Sequence, residues 1–276
     1  MTYEQLKDLK PKEFKRLCGV HLETFTRMVE VLQPDLERTG KRGGQPKLSV
    51  EDQLLMTLEY WREYVRYFHI GKSWGIHEST VCRIVRKVEK LLIRSRAFRL
   101  PGKKQLHQSA YEWKILVVDV TETPIERKKK KQRRYYSGKK KRHTLKAQVV
   151  VDQRTGEIIC TAYGTGHTHD FRLFKTSQVS FARSQICLAD KGYQGIVKLH
   201  TLSCTPTKKP RSADLPVAHR QYNRLLASWR VVVEHIHRRL KIFHILAQRY
   251  RNRRKRFGLR FNLIAGLLNY ELSLAS

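Results

Sequence analysis

Three carboxylates stand where phosphoryl-transfer chemistry would need them. Lys114-Ile115-Leu116-Val117-Val118-Asp119 is an apolar run of strand length closed by an acid, and Leu188-Ala189-Asp190-Lys191-Gly192-Tyr193 repeats that plan. A carboxylate at the end of a buried strand is costly unless something compensates it. If the two strands are neighbours, Asp119 and Asp190 converge at one sheet edge, where α/β folds place ligands. Their repulsion then calls for a cation, and oxygen ligands without thiols select Mg²⁺ or Mn²⁺. A pair of such ions held by carboxylates cleaves and joins phosphodiesters by in-line displacement. A third acid stands on a long helical segment, where Arg230, Glu234 and Lys241 follow one another at i, i+4 and i+11. They fall within about 40° of each other and roughly 120° from the apolar stripe of Trp229, Val233, Ile236, Leu240 and Phe243. One acid between two cations suits a metal ligand with phosphate contacts beside it. It equally suits a solvated i,i+4 ion pair, and the spacing leaves both open.

Elements must bring these groups together, and the bulk properties say in what setting. The chain has 276 residues, 40% of them hydrophobic, and a formal net charge of +33. That is enough apolar material for one or two domains with buried cores. Self-repulsion at this charge opposes compaction unless a polyanion is present, and nucleic acid is the usual one. The five cysteines, Cys18, Cys82, Cys160, Cys187 and Cys204, are scattered and odd in number. They form no C-x-x-C pair and predict idle thiols in a reducing compartment, not a zinc site. The first residues lack the apolar core of a signal peptide. The apolar run Leu263 to Leu268 is far too short to span a bilayer.

Taken in order, residues 1–33 predict a small helical module, with Pro11 able to start a helix and Gly19 able to stop one. Residues 34–47, with Gly40-Lys41-Arg42-Gly43-Gly44, predict a basic linker. Residues 48–95 predict three helices: one capped by Ser49, one over about 64–74 and one over about 78–93, with Gly75 at the last turn. Val81, Ile84, Val85, Val88 and Leu92 would face inward on the third helix. Ser79, Thr80, Arg83, Arg86 and Lys87 would face outward. This is a helix–turn–helix pattern, in which short polar side chains reach base edges and basic ones hold phosphates. A three-helix packing unit with solvated basic faces is the blander alternative. Residues 96–112 form a second basic connector, and from residue 113 the pattern changes. Strands are predicted over 114–120, 132–137, 144–151, 157–163 and 185–189, with Gly138 at a hairpin turn. Helices are predicted from Asp170, over 221–247 and over 258–275. The segment from Arg127 to Lys146 carries twelve basic residues and no acid, among them Lys139 and Lys140. Arg249 to Arg256 forms a second basic cluster. Strands followed by alternating strand and helix define an α/β layer fold behind an all-α N-terminal region.

The combination resembles the DDE-superfamily transposases. It is carried by Asp119-Val120-Thr121-Glu122, the hairpin at Tyr136-Ser137-Gly138-Lys139, the pair His169-Asp170, and Leu188 to Tyr193. Within that superfamily the match is nearest to the bacterial family of insertion sequence five, related to the Harbinger elements, and Leu48 to Leu92 resembles its DNA-binding domain. The resemblance implies an RNase H-like catalytic domain over residues 113–276 in which Asp119, Asp190 and Glu234 are the catalytic acids and hold two Mg²⁺ or Mn²⁺ ions. It implies DNA contacts from Ser79, Thr80, Arg83, Arg86, Lys87, Lys139, Lys140, Arg230 and Lys241, with Glu122 ordering the site. Asp170, after His167 and His169, could ligate a metal, and also suits a helix cap or an acid that orders the site. A family signature of Tyr, Arg, Glu and Lys keeps its last three members here, but Ala227 stands at the tyrosine position. The activity implied is sequential: water cleaves a phosphodiester at the element's end, and the freed 3′-OH attacks target DNA. Partners would be double-stranded DNA carrying the terminal repeats, target DNA, and a second copy of the chain, in a bacterial cytoplasm beside the nucleoid. The A-rich codons of Lys128 to Lys131 could form a ribosomal slip site. The competing readings are a domesticated DNA-binding factor that has lost its chemistry and an RNase H-like nuclease that cuts without joining.

Overall fold

The computed structural model describes residues 2–37, 47–108, 113–127, 130, 132–210, 212–252 and 254–275. Gly40 to Gly44 of the linker, residues 109–112 of the connector, Lys128, Lys129, Lys131 and Arg253 lie outside the described residues. The chain forms two compact units. One comprises Met1–Arg99, Leu240–Gln248 and Leu259–Ser276; the other comprises Leu100–Arg239 and Arg249–Gly258.

The first unit is helical. Its early helices are α1 (Tyr3–Leu6), α2 (Pro11–Cys18) and α3 (Leu22–Leu36). The linker therefore starts later than the sequence suggests. Pro34 lies inside α3, where Leu32 and Leu36 are both buried. A proline in the last turn forfeits one backbone hydrogen bond, and the buried leucines on either side offset that loss. Next come α4 (Val50–Arg62), α5 (Tyr67–Ser73) and α6 (Glu78–Ser95). The Ser49 hydroxyl accepts from the Asp52 N–H at 3.1 Å and caps α4 as its position predicts. Gly71 permits the close turn between α5 and α6, because a Cβ there would lie 2.6 Å from the Ile76 carbonyl oxygen.

The closing helix, α10 (Phe257–Ala275), runs from Leu259 onward within this helical unit and not with the strands that precede it. Its Arg260 is fully buried and donates to Glu89 of α6 at 2.6 Å, while Trp61 of α4 donates to the same carboxylate at 3.1 Å. The Arg260 guanidinium also lies over the Tyr60 ring. Glu89 thus ties three helices together in the core. The short α9 (His244–Ala247) belongs to the same unit, and the single long helix expected over 221–247 breaks before it at Ile242-Phe243.

The second unit is built on a mixed sheet. Its strands are β1 (Ile115–Pro124), β2 (Tyr136–Ser137), β3 (Arg142–Asp152), β4 (Ile158–Thr165), β5 (Ile186–Ala189) and β6 (Ser203–Cys204). β1 lies between β3, antiparallel to it, and β5, parallel to it; β6 continues beyond β5, and β2 and β4 pair the far side of β3. Residues 132–135 form a tight helical turn rather than the predicted strand, because consecutive exposed Arg133 and Arg134 offer no alternation of faces. Helix α7 (Asp170–Ser177) packs Leu173 and Phe174 inward. Helix α8 begins at Val217, and its residues up to Arg239 belong to this unit. On α8, Leu226, Val233, Ile236 and Leu240 are buried, whereas Trp229 is 41% exposed and does not join the stripe. The α/β class behind a helical N-terminal region is therefore as predicted.

Removing one partner of a buried, hydrogen-bonded ion pair leaves an uncompensated charge. Glu89→Ala is expected to lower unfolding free energy by about 3 kcal/mol, read as a shifted urea midpoint.

Candidate active site

The carboxylates meet because of strand register. β1 and β5 run parallel, with Val118 opposite Ala189 as the last pair. Asp119 and Asp190 are the next residue of each chain, so both acids leave the same end of adjacent strands. Val117, Val118, Leu188 and Ala189 are buried and hold that end in place. Asp190 then starts a tight turn in which its Oδ1 accepts from the Gly192 N–H at 2.8 Å. Gly192 is required for space: a Cβ there would lie 2.9 Å from Asp190 Oδ1 and 3.0 Å from Asp170 Oδ2. Asp170 therefore enters the group as well, from the first turn of α7.

Asp119 is compensated from α8. Arg230 Nη2 stands 3.9 Å from its Oδ1 and His237 Nδ1 stands 3.6 Å from its Oδ2. Both contacts are longer than hydrogen bonds. The Asp119 side chain keeps 19% of its exposure. Burial pushes its pKa up from 3.8 to about 6. A Val120 backbone hydrogen bond and Arg230 oppose that rise, and Asp190 and Asp170 add to it. The Tyr193 phenol, fully buried with no hydrogen-bond partner among the described residues, is also pushed up, by burial first and then by Asp119, Asp170 and Asp190.

Glu234 shares the helix face of Arg230 and His237 but is exposed. At ~100° per residue it lies further from the apolar stripe than Arg230 or His237. The structure thus brings Asp119, Asp190, Asp170 and Arg230 together, and Glu234 is exposed on α8. Lys241, exposed at the end of α8, falls in the helical unit. Glu122 lies three residues beyond Asp119 on β1, where it accepts hydrogen bonds from Ser137 and Thr144 at 3.1 and 2.6 Å. Lys139 and Lys140 are exposed on the turn after β2.

On α6, Val81, Val85, Val88 and Leu92 face inward and Ile84 is half-buried. Ser79, Arg83, Arg86 and Lys87 are exposed and Thr80 is half-buried. The His77 ring accepts from the Ser79 N–H at 3.2 Å and starts the helix, while Arg83 reaches back to the Thr80 hydroxyl at 3.2 Å. The polar start and basic flank of this helix are thus presented together.

Among the described residues no three His, Cys, Asp or Glu side chains form a ready metal cluster. The acid group nevertheless fits a divalent cation. It offers hard oxygen donors, one of which has its pKa raised by burial first and then by its neighbouring acids, and two carboxylate oxygens that lie 2.9 and 3.0 Å from where a Cβ on Gly192 would stand. Asp119 and Asp190 would hold such an ion together with water or phosphate oxygens.

Two residues of this site have no prominent place in the sequence reading. His237 stands seven residues, two helical turns, after Arg230, so it shares the face that points at Asp119. Lys146 was counted with the basic arm, yet it is 7% exposed. The signal was a lysine inside the apolar run Leu145 to Val151.

Residues 118–269 match the family described as DDE superfamily endonuclease, and residues 46–97 match the helix-turn-helix of DDE superfamily endonuclease. The chain is 54% identical over 274 residues to a "Probable transposase for insertion sequence element IS702" from Microchaete diplosiphon, covering 99% of each. It is 24% identical over 240 residues to a "Putative transposase for insertion sequence element IS112" from Streptomyces albus G, covering 86% of each. No solved structure matches the chain. The chain belongs to the DDE superfamily of endonucleases, with the superfamily's helix–turn–helix at its N-terminal side. Among the described residues no helix is long and apolar enough to cross a membrane.

A carboxyl whose folded pKa is raised binds its proton more tightly in the folded state. It therefore costs the metal-free protein stability as pH climbs from about 4 to about 6, by up to about 3 kcal/mol. Asp119→Asn should remove this slope and raise the melting temperature of the metal-free protein at pH 7, compared by calorimetry at pH 4 and pH 7.

Proposed function

We propose that this chain is the transposase of an insertion sequence, of the kind related to insertion sequence five. It binds the element's ends, cleaves a phosphodiester there and joins the freed 3′-OH to target DNA. The observation that carries this reading is the parallel β1–β5 pair, which ends in two acids one residue past its last rung. Asp119 and Asp190, with Glu234 as the third acid, would hold Mg²⁺ or Mn²⁺ as two ions. Such ions supply Lewis-acid polarisation of the scissile phosphate and help ionise the attacking hydroxyl.

The chain's own residues do the rest. Arg230 sits beside the acids with its Nε buried and without an acceptor among the described residues, a donor for a phosphate oxygen. Glu234, on the same face of α8 as Arg230, would complete the acid set when the ions and DNA are bound. Ser79 and Thr80 open α6 toward base edges, and Arg83, Arg86 and Lys87 follow along its exposed flank for phosphates. Lys139 and Lys140 on the hairpin turn hold the strand being cut. Joining two ends calls for at least two copies of the chain, working on the cell's own DNA in the cytoplasm.

On DNA carrying the element's ends, wild type with Mg²⁺ or Mn²⁺ should cleave and join. Asp119→Asn, Asp190→Asn and Glu234→Gln should each bind DNA with unchanged affinity and lose well over about 100-fold in rate, since even a ligand's hydrogen-bond partners cost 10–100-fold. Binding without cleavage by wild type would instead favour a domesticated DNA-binding factor, and cleavage without joining a simple nuclease. Lys139→Ala should lower the slope of log affinity against log salt by about 0.9, the value of one lost phosphate contact. Gel-shift titrations between low and physiological salt measure it.

A further inference from the structure

The most deeply placed cation of the sheet is not on a DNA-facing surface. Lys146 on β3 lies opposite Glu122 on β1 and is almost fully buried. Its ammonium donates to Asp170 Oδ1 at 2.7 Å and to the Thr168 carbonyl at 2.7 Å, and stands 3.9 Å from Glu122 Oε1. Glu122 is itself fixed by the Ser137 and Thr144 hydroxyls, and Ser137 Oγ accepts from the Lys140 N–H at 3.2 Å. A continuous polar chain therefore runs from the basic hairpin turn through Ser137, Glu122 and Lys146 to Asp170.

Asp170 is divided between two jobs. Oδ1 is taken by Lys146, while Oδ2 turns the other way and, with Asp190 Oδ1, crowds the space beside Gly192. Helix capping does not account for this placement. Asp170 is the first helical residue of α7, the residue before it is the cap, and no capping bond from that side chain is present. A second observation concerns the same acids: the Tyr193 hydroxyl is buried, finds no hydrogen-bond partner among the described residues, and feels the charges of Asp119, Asp170 and Asp190.

We propose that Asp170, through Oδ2, shares the divalent-cation site with Asp190, and that Lys146 is the positioning residue that holds it there. Glu122 balances the Lys146 charge. Without Lys146, the Asp170 carboxylate is free to swing away from Asp190, whose charge repels it. The inference rests on the acid-pair reading proposed above and adds a ligand and its support to it.

The test is Mn²⁺ binding to the full-length, DNA-free protein by titration calorimetry, with Asp190→Asn as the reference. Lys146→Met should weaken Mn²⁺ binding by about tenfold, the scale of an outer-shell defect, and Asp170→Asn, which loses the ligand atom itself, by at least as much. The double variant should be no weaker than Asp170→Asn alone. Asp170→Asn is nearly isosteric and keeps an oxygen for Lys146, so it decides the ligand assignment even if Lys146→Met does not fold. Unchanged affinity in Asp170→Asn, with Asp190→Asn impaired, overturns this inference alone. A double variant about tenfold weaker than Asp170→Asn alone overturns the positioning role, because the two residues would then act independently. Unchanged affinity in Asp190→Asn removes the acid-pair reading, and this inference with it.

Discussion

Everything at the candidate site follows from one constraint: two parallel strands end together, and each ends in a carboxylate. The pairing of β1 with β5 is short, four rungs from Ile115–Ile186 to Val118–Ala189, but every residue of its last two rungs is buried. The geometry therefore leaves Asp119 and Asp190 little room to separate. Their charges must be met locally: Arg230 of α8 stands near Asp119 and the Gly192 N–H donates to Asp190, while Lys146 of β3 pairs with the neighbouring Asp170. The compensation is incomplete, as the raised pKa of Asp119 records. An acid group left short of positive charge is a standing attraction for a divalent cation. Proteins that keep such a site accept its cost to stability in the metal-free state.

The same charge logic operates at larger scale. A net charge of +33 would be a liability for a chain acting alone. Much of it lies on exposed faces such as the outer side of α6 and the turn after β2, where a polyanion can neutralise it. The few buried cations behave differently. Arg260 holds Glu89 in the helical unit, and Lys146 holds Asp170 in the sheet unit. These are internal ties, each matched to a particular acid, and they contribute nothing to a DNA-facing surface.

Much of this was legible in the sequence because the signals are local. An apolar run ending in an acid shows at Asp119 and again at Asp190, and Ser49, Gly75 and the stripe on α6 mark the helix–turn–helix. What was not legible depends on pairings far apart in the chain. By sequence Asp170 suits a helix cap, a site-ordering acid or a ligand, and the space beside Gly192 is what sets it next to Asp190. Lys146 is hidden among eleven other basic residues until the register sets it opposite Glu122. The closing helix looks like the end of the sheet unit, but contacts such as Arg260 with Glu89 and Glu271 with Lys15 and the His21 N–H set most of it in the helical unit. Trp229 fits the apolar stripe by spacing yet stays exposed, with Leu226 buried on that helix. Glu234 carries the right spacing, but helical geometry sets it a step outward from Arg230 and His237.

If the ends of β1 and β5 form a divalent-cation site, anomalous diffraction at the manganese edge from crystals soaked in Mn²⁺ will show a manganese peak between the carboxylates of Asp119 and Asp190, and that peak will vanish in Asp190→Asn crystals. A manganese peak elsewhere on the chain, with none between those two residues, would contradict that assignment.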